Sequence, residues 1–72
     1  MSKIPALKPK QAMKILEKAG FKFIRQKGSH RIYIKGNRLV TIPYHNNDLR
    51  KGTLGAIIKQ SGIGVNEFLK LI

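Results

Sequence analysis

FKFIRQKGSHRIYIKGNRLVTIP, residues 21–43, decides the fold. Apolar and polar residues alternate through it with a period of two, the spacing of strands whose two faces differ. In the first run Phe21 and Phe23 fall on one side, and Lys22, Ile24 and Gln26 on the other. Gly28-Ser29 then turns the chain, and Arg31, Tyr33 and Lys35 alternate with Ile32 and Ile34. Gly36-Asn37 is a tight-hairpin signal, because these residue types tolerate the backbone angles of a two-residue turn. Residues 38–42 make a third run, which Pro43 ends because it has no N–H to give a ladder. Three consecutive antiparallel strands are expected.

Outside this segment the period lengthens to that of a helix. Residues 9–19 put Ala12, Ile15, Leu16 and Ala19 on one face. Pro9 suits the first turn and Gly20 the stop. Lys10, Lys14 and Lys18 take the opposite side as a solvated face. After a polar loop at 44–51, a second helix begins near Gly52 or Thr53, buries Leu54, Ile57 and Ile58, and stops at Gly62. Residues 66–71 make a short last helix that turns Phe68, Leu69 and Ile72 onto the core, with Gly64 as a weak cap before it. The expected class is α+β, in the order α-β-β-β-α with a short extra C-terminal helix. The three-stranded antiparallel sheet carries its helices on one face and leaves the other wet. Residues 1–72 suffice for a single domain, since a core this small buries only about 60% of the surface its unfolded chain exposes.

Composition narrows the function. Hydrophobic residues make up 42% of the chain, enough for a packed core. The absence of cysteine excludes disulfides, thiolate nucleophiles and zinc sites that need sulfur. With no membrane-length apolar run and no secretion signal, a cytoplasmic location is expected. Fifteen Lys and Arg against three acids give a net charge of +12, which draws polyanions, nucleic acid first. Solubility alone and an anionic membrane are weaker readings of that charge, the second because no helix shows a strongly basic amphipathic face.

The acids are Glu17, Asp48 and Glu67, one in each of three different elements, so clustered-carboxylate metal catalysis and paired-carboxylate hydrolysis both lack their groups. No metal or other cofactor is expected. Histidine remains, and it titrates near neutral pH. RNA carries its own nucleophile, the 2′-hydroxyl. Cleavage then needs a base for that proton, cations for the phosphate and an acid for the leaving oxygen. His30 suits the role: Gly28 and Ser29 let a phosphate approach the backbone, and Lys27 and Arg31 bring charge to either side. By spacing alone, a lone histidine here is more often a plain polar residue at a strand end. His45, in Tyr44-His45-Asn46-Asn47, is either a second proton donor or phosphate ligand, or a loop side chain bonded to nearby backbone.

EKAGFKFIRQKGSHRIY (17–33), VTIPYHNNDLRKGTLGAIIKQSGI (40–63) and NEFLKLI (66–72) together resemble the HicA toxin family, the small RNA-cleaving partners in HicA-HicB toxin-antitoxin systems. The most specific parts are Gly28-Ser29-His30, then Pro43 and His45, then Gly52-Thr53-Leu54. Arg31 stands where the family varies. The resemblance implies a fold like the double-stranded-RNA-binding domain. It also implies messenger-RNA cleavage that requires His30 and no metal, and a HicB-type antitoxin that binds the chain and blocks the RNA site.

The expected RNA contacts are Lys22, Arg25, Lys27 and Arg31, the backbone at Gly28 and Ser29, and Lys51 with the free amides near Thr53. About four phosphate contacts give a slope of roughly −3 for log affinity against log salt on single strands. Tyr33 is a candidate for stacking a base on the open sheet face. Single-stranded RNA is the expected substrate, because a duplex restricts the in-line geometry of 2′-hydroxyl attack. Neither DNA nor a membrane is an expected partner. A non-catalytic RNA-binding module of the same fold is the alternative reading, and an interaction domain for an acidic protein a third.

Overall fold

The computed structural model of the protein describes residues 5–72. Its elements are α1 (Pro9–Lys18), β1 (Lys22–Lys27), β2 (His30–Lys35), β3 (Arg38–Pro43), α2 (Lys51–Ser61) and α3 (Val65–Lys70). The strands form one antiparallel sheet in the order β1-β2-β3, so both expected hairpins are present and the class is α+β. Boundaries move slightly from the expectation: β2 begins at His30 itself, α2 at Lys51 and α3 at Val65.

Register assigns the two faces. Tyr33 lies opposite both Phe23 and Val40, and Arg31 lies opposite Ile42. Directly opposed residues share a face. Tyr33, Val40 and Ile42 are buried there, and α1 and α2 pack on that side along β3. Alternation sends His30, Ile32 and Ile34 to the open face, together with Lys22, Arg25 and Lys27 of β1 and Leu39 of β3, although Ile32 is itself buried there at 9% exposure and Ile34 half-buried. Tyr33, 1% exposed, is therefore a core residue and not a stacking platform on the open face. Hydropathy misleads at this strand because Ile32 and Ile34 look like the inward pair. The cross-strand partners Val40 and Ile42 fix the opposite parity. Burial pushes the Tyr33 phenol above its ordinary value, the Glu17 charge adds to that, and Arg31 opposes it.

The first strand also departs from simple alternation. A bulge between Phe23 and Arg25 inserts a residue and resets the period, so Gln26 pairs with Arg31 on the helix side instead of joining Lys22. Ile24, at the bulge, is left 48% exposed.

Leu7, Ala12, Ile15, Leu16, Phe21, Leu49, Leu54, Ile57, Ile58 and Phe68 complete the core. Phe68 anchors α3 and Leu71 packs against the same cluster, but of the other two expected core residues Leu69 is only half-buried outside it and Ile72 is 56% exposed and does not join it. The helix ends at Lys70, and the chain turns through Leu71 and carries Ile72 outward.

Each helix ends on carbonyls that have no partner within the helix and carry its partial negative charge. Cations from other elements satisfy them. Lys35 Nζ donates to the Ala19 carbonyl after α1 (2.6 Å), Arg38 Nη1 to Gln60 in the last turn of α2 (3.4 Å), and Lys18 Nζ to Leu71 after α3 (3.1 Å). At the end of α2, Gly62 adopts φ +73°, and the Arg38 guanidinium lies where a Cβ would project. Gln60 meanwhile accepts the Thr41 N–H (3.2 Å), which covers part of the free edge of β3.

Candidate functional site

His30 is the first residue of β2, exposed, with Lys27 opposite it on β1 and Pro43 opposite it on β3. The turn before it is a two-residue connection in which Gly28 has φ +59°, a backbone state that costs other residues strain. Nothing lies within 4 Å of the place where a Gly28 Cβ would stand, so the front of the turn is open. Two hydrogen bonds hold it. Gln26 Nε2 donates to the Gly28 carbonyl (3.0 Å), and the Tyr44 N–H donates to the Ser29 carbonyl (2.6 Å). The imidazole thus stands on a braced backbone with access to solvent.

Lys22, Arg25 and Lys27 share the open face with His30 and are exposed. Among the described residues their side chains form no hydrogen bond or ion pair, unlike Lys8, Lys18, Lys35 and Arg38, which are held on carbonyls. Their charge is available to an incoming anion. Arg31 differs. Alternation takes it to the helix side, where its guanidinium lies half-buried 5.2 Å from the Phe23 ring centroid and 4.4 Å from that of Tyr44. Its Nε is buried without a hydrogen-bond partner. Lys51 and Thr53 occupy a separate place, the first turn of α2, with Lys51 exposed and Thr53 half-buried.

His45 is exposed in the segment after β3, and the Tyr44–Ser29 bond sets that segment beside the turn that carries His30. The segment is also tied to the start of α1. Lys8 Nζ donates to the Asn46 carbonyl (3.2 Å), and the Leu49 N–H donates to the Leu7 carbonyl (2.7 Å). Between the two runs lies a hollow of about 230 Å³ lined by Lys8, Pro9, Lys10, Tyr44, His45 and Asn46. Sequence reasoning singled out His45 and the loop around it but not its pairing with the start of α1, because that pairing joins residues 38 apart with no periodic signal between them. Among the described residues no three His, Cys, Asp or Glu side chains are grouped as a metal site, and no helix is long and apolar enough to cross a membrane.

Residues 9–63, from the first turn of α1 to just beyond α2, match the family model of the HicA toxin of bacterial toxin-antitoxin systems. The chain belongs to the HicA toxin family. Its role is that of the toxin in a toxin-antitoxin pair. Comparison with curated proteins gives no significant match. The third helix lies beyond the matched span, yet it supplies Phe68 to the core. The HicA match contains His30, His45, the braced turn and the cations of β1.

Proposed function

We propose that this HicA-family chain is a metal-independent endoribonuclease that cleaves messenger RNA, with His30 as the proton-transfer residue, and that a HicB-type antitoxin neutralises it. One observation carries the reading: an exposed imidazole on a braced, open turn shares a sheet face with three cations that the fold leaves uncommitted. The substrate places the protein in the cytoplasm.

In the proposed reaction, Lys22, Arg25 and Lys27 hold the RNA backbone, and the space in front of Gly28 admits the scissile phosphate. His30 takes the 2′-hydroxyl proton, the freed oxygen attacks the adjacent phosphorus, and the bond from phosphorus to the 5′-oxygen breaks. The leaving oxygen receives a proton from imidazolium, either His30 in turn or His45. The products are a 2′,3′-cyclic phosphate and a 5′-hydroxyl. Cationic side chains beside the phosphate favour the charge that accumulates on its oxygens in the transition state. Bound antitoxin would cover the same uncommitted charge with an acidic or hydrogen-bonding surface.

The test is a purified-protein assay on a single-stranded transcript with EDTA present. The parent chain should cut, and His30→Ala should bind the transcript with similar affinity but cut at least about 100-fold more slowly, the usual contribution of a positioned acid or base. Cutting by His30→Ala at the parent rate removes His30 from the mechanism, and loss of parent activity in EDTA overturns the metal-free route.

A further inference from the structure

We infer that the hollow between the start of α1 and residues 44–46 is a second RNA subsite, which takes a nucleotide next to the one cleaved at His30. The inference rests on the RNA-cleaving reading above and extends it. The lining combines what a nucleotide needs. Lys10 is exposed with an uncommitted ammonium group for a phosphate, Tyr44 offers an aromatic ring to a base, and His45 and Asn46 offer polar edges. No carboxylate lines it.

Pro9, also in the lining, has no N–H to offer, so an anion here relies on the Lys10 side chain more than on the end of the helix. At about 230 Å³ the hollow falls below the roughly 300–1,000 Å³ of pockets that enclose a whole small molecule. One unit of a longer chain fits that size better than a free metabolite.

Its walls are fixed in advance. Lys8 Nζ on the Asn46 carbonyl and Leu49 N–H on the Leu7 carbonyl join the two sides, and Arg31 lies over the Tyr44 ring. The hollow adjoins the turn that carries His30 around the end of the sheet, because the Tyr44 N–H donates to the Ser29 carbonyl. A strand whose phosphate sits at the Gly28-Ser29 turn passes Tyr44 as it leaves. An acidic peptide would use the lysines but would leave the aromatic wall unemployed, so RNA is the better occupant.

The experiment measures fluorescence anisotropy of a short labelled 2′-O-methyl RNA, which cannot be cleaved, across a salt series; parent cleavage of ordinary RNA is assayed in parallel. The proteins are the parent, Lys10→Gln with His45→Asn, and Lys59→Gln as a charge-matched control on α2. The double variant should bind about tenfold more weakly near 100 mM salt, with a salt slope shallower by about 0.7, the contribution of one single-strand phosphate contact. The control should change affinity less than about twofold. If the double variant matches the control while the parent still cuts, the subsite is wrong and the proposed function stands. Equal loss of affinity for a polyglutamate of matched length makes the hollow a general acidic-chain site and overturns the RNA assignment. A parent that neither binds nor cuts RNA defeats the proposed function itself, and the subsite with it.

Discussion

Replacing Arg31 separates two roles that the sequence alone leaves merged. As a phosphate ligand, Arg31 would contribute to RNA affinity and to its salt dependence. As the structure has it, the guanidinium is a brace between Phe23 on β1 and Tyr44 after β3, with centroid distances of 5.2 and 4.4 Å. Each such contact contributes about 0.5–1 kcal/mol when partly exposed, so the pair contributes about 1–2 kcal/mol. The aliphatic stem packs as well, for about 1 kcal/mol. Against these stands the unpartnered Nε, whose removal recovers about 1 kcal/mol. Arg31→Ala should therefore cost about 1–2 kcal/mol of a total near 4–11 kcal/mol for a chain of this length.

For a domain this small, that loss lowers Tm by roughly 5–15 °C. A melt followed by circular dichroism measures it, and anisotropy against salt, on uncleavable single-stranded RNA, measures the other role. Arg31→Ala should leave the salt slope within about 0.2 of the parent, and Arg31→Lys, which keeps charge but loses the planar stack, should remain destabilised. An unchanged Tm with a slope shallower by about 0.7, and restoration of binding by lysine, would refute the bracing argument and return Arg31 to the phosphate contacts.

Phe68→Ala should cost about 3–5 kcal/mol, because it empties a fully buried site and frees α3 from the core; a urea midpoint shift equivalent to less than about 1 kcal/mol would show that α3 is not anchored there. Tyr33→Phe should protect the protein at high pH. The folded phenol titrates above its ordinary 10.0, so its contribution is complete below that value and is lost as pH rises towards the raised one, where the unfolded chain has already ionised. Urea midpoints of parent and variant should therefore diverge above pH 10, and parallel curves would contradict the burial of Tyr33. Gly28→Ala should cost about 1 kcal/mol for its positive φ alone, since the space beside it is open. Gly62→Ala should cost about 1 kcal/mol more, because its Cβ displaces the Arg38 guanidinium from the Gln60 carbonyl, and equal melts for the two variants would reject that ordering.

The hairpins and helices were legible because period and turn chemistry agree along the chain: two-residue turns at Gly28 and Gly36, helical stripes at Ile15 and Leu16 and at Ile57 and Ile58, and a left-handed stop at Gly62. What escaped is information held in pairing. The bulge after Phe23 adds one residue to β1, and no feature of the alternation marks it, so simple alternation puts Gln26 on the wrong face. The parity of β2 depends on which residues of β3 it meets; hydropathy along β2 alone does not reveal that Tyr33 joins the helix-side core while Ile32, though buried, stands on the other face. At the site, His30 was legible because a Gly-Ser corner before an alternating strand exposes the first strand residue. Arg31, one position on, necessarily points the other way.

The excess of positive charge offers the remaining step. Fifteen cations and three acids cannot balance through ion pairs, and among the described residues only Lys70 and Glu67 form one. The fold instead points Lys18, Lys35 and Arg38 at helix-end carbonyls, where partial negative charge stands in for the missing carboxylates. Those three cations are exposed but committed to helix-end carbonyls. Lys22, Arg25 and Lys27 lie on the open face of β1 and, among the described residues, make no hydrogen bond or ion pair, so they keep their charge free. Sequence position does not distinguish the two groups, since Lys35 and Lys27 both sit at strand ends beside a glycine turn. Geometry does: the helix-end carbonyl at Ala19 claims Lys35, while Lys27 meets His30 across the ladder. The proposed reaction surface is thus a part of an overcharged fold where no internal acceptor competes with an incoming phosphate.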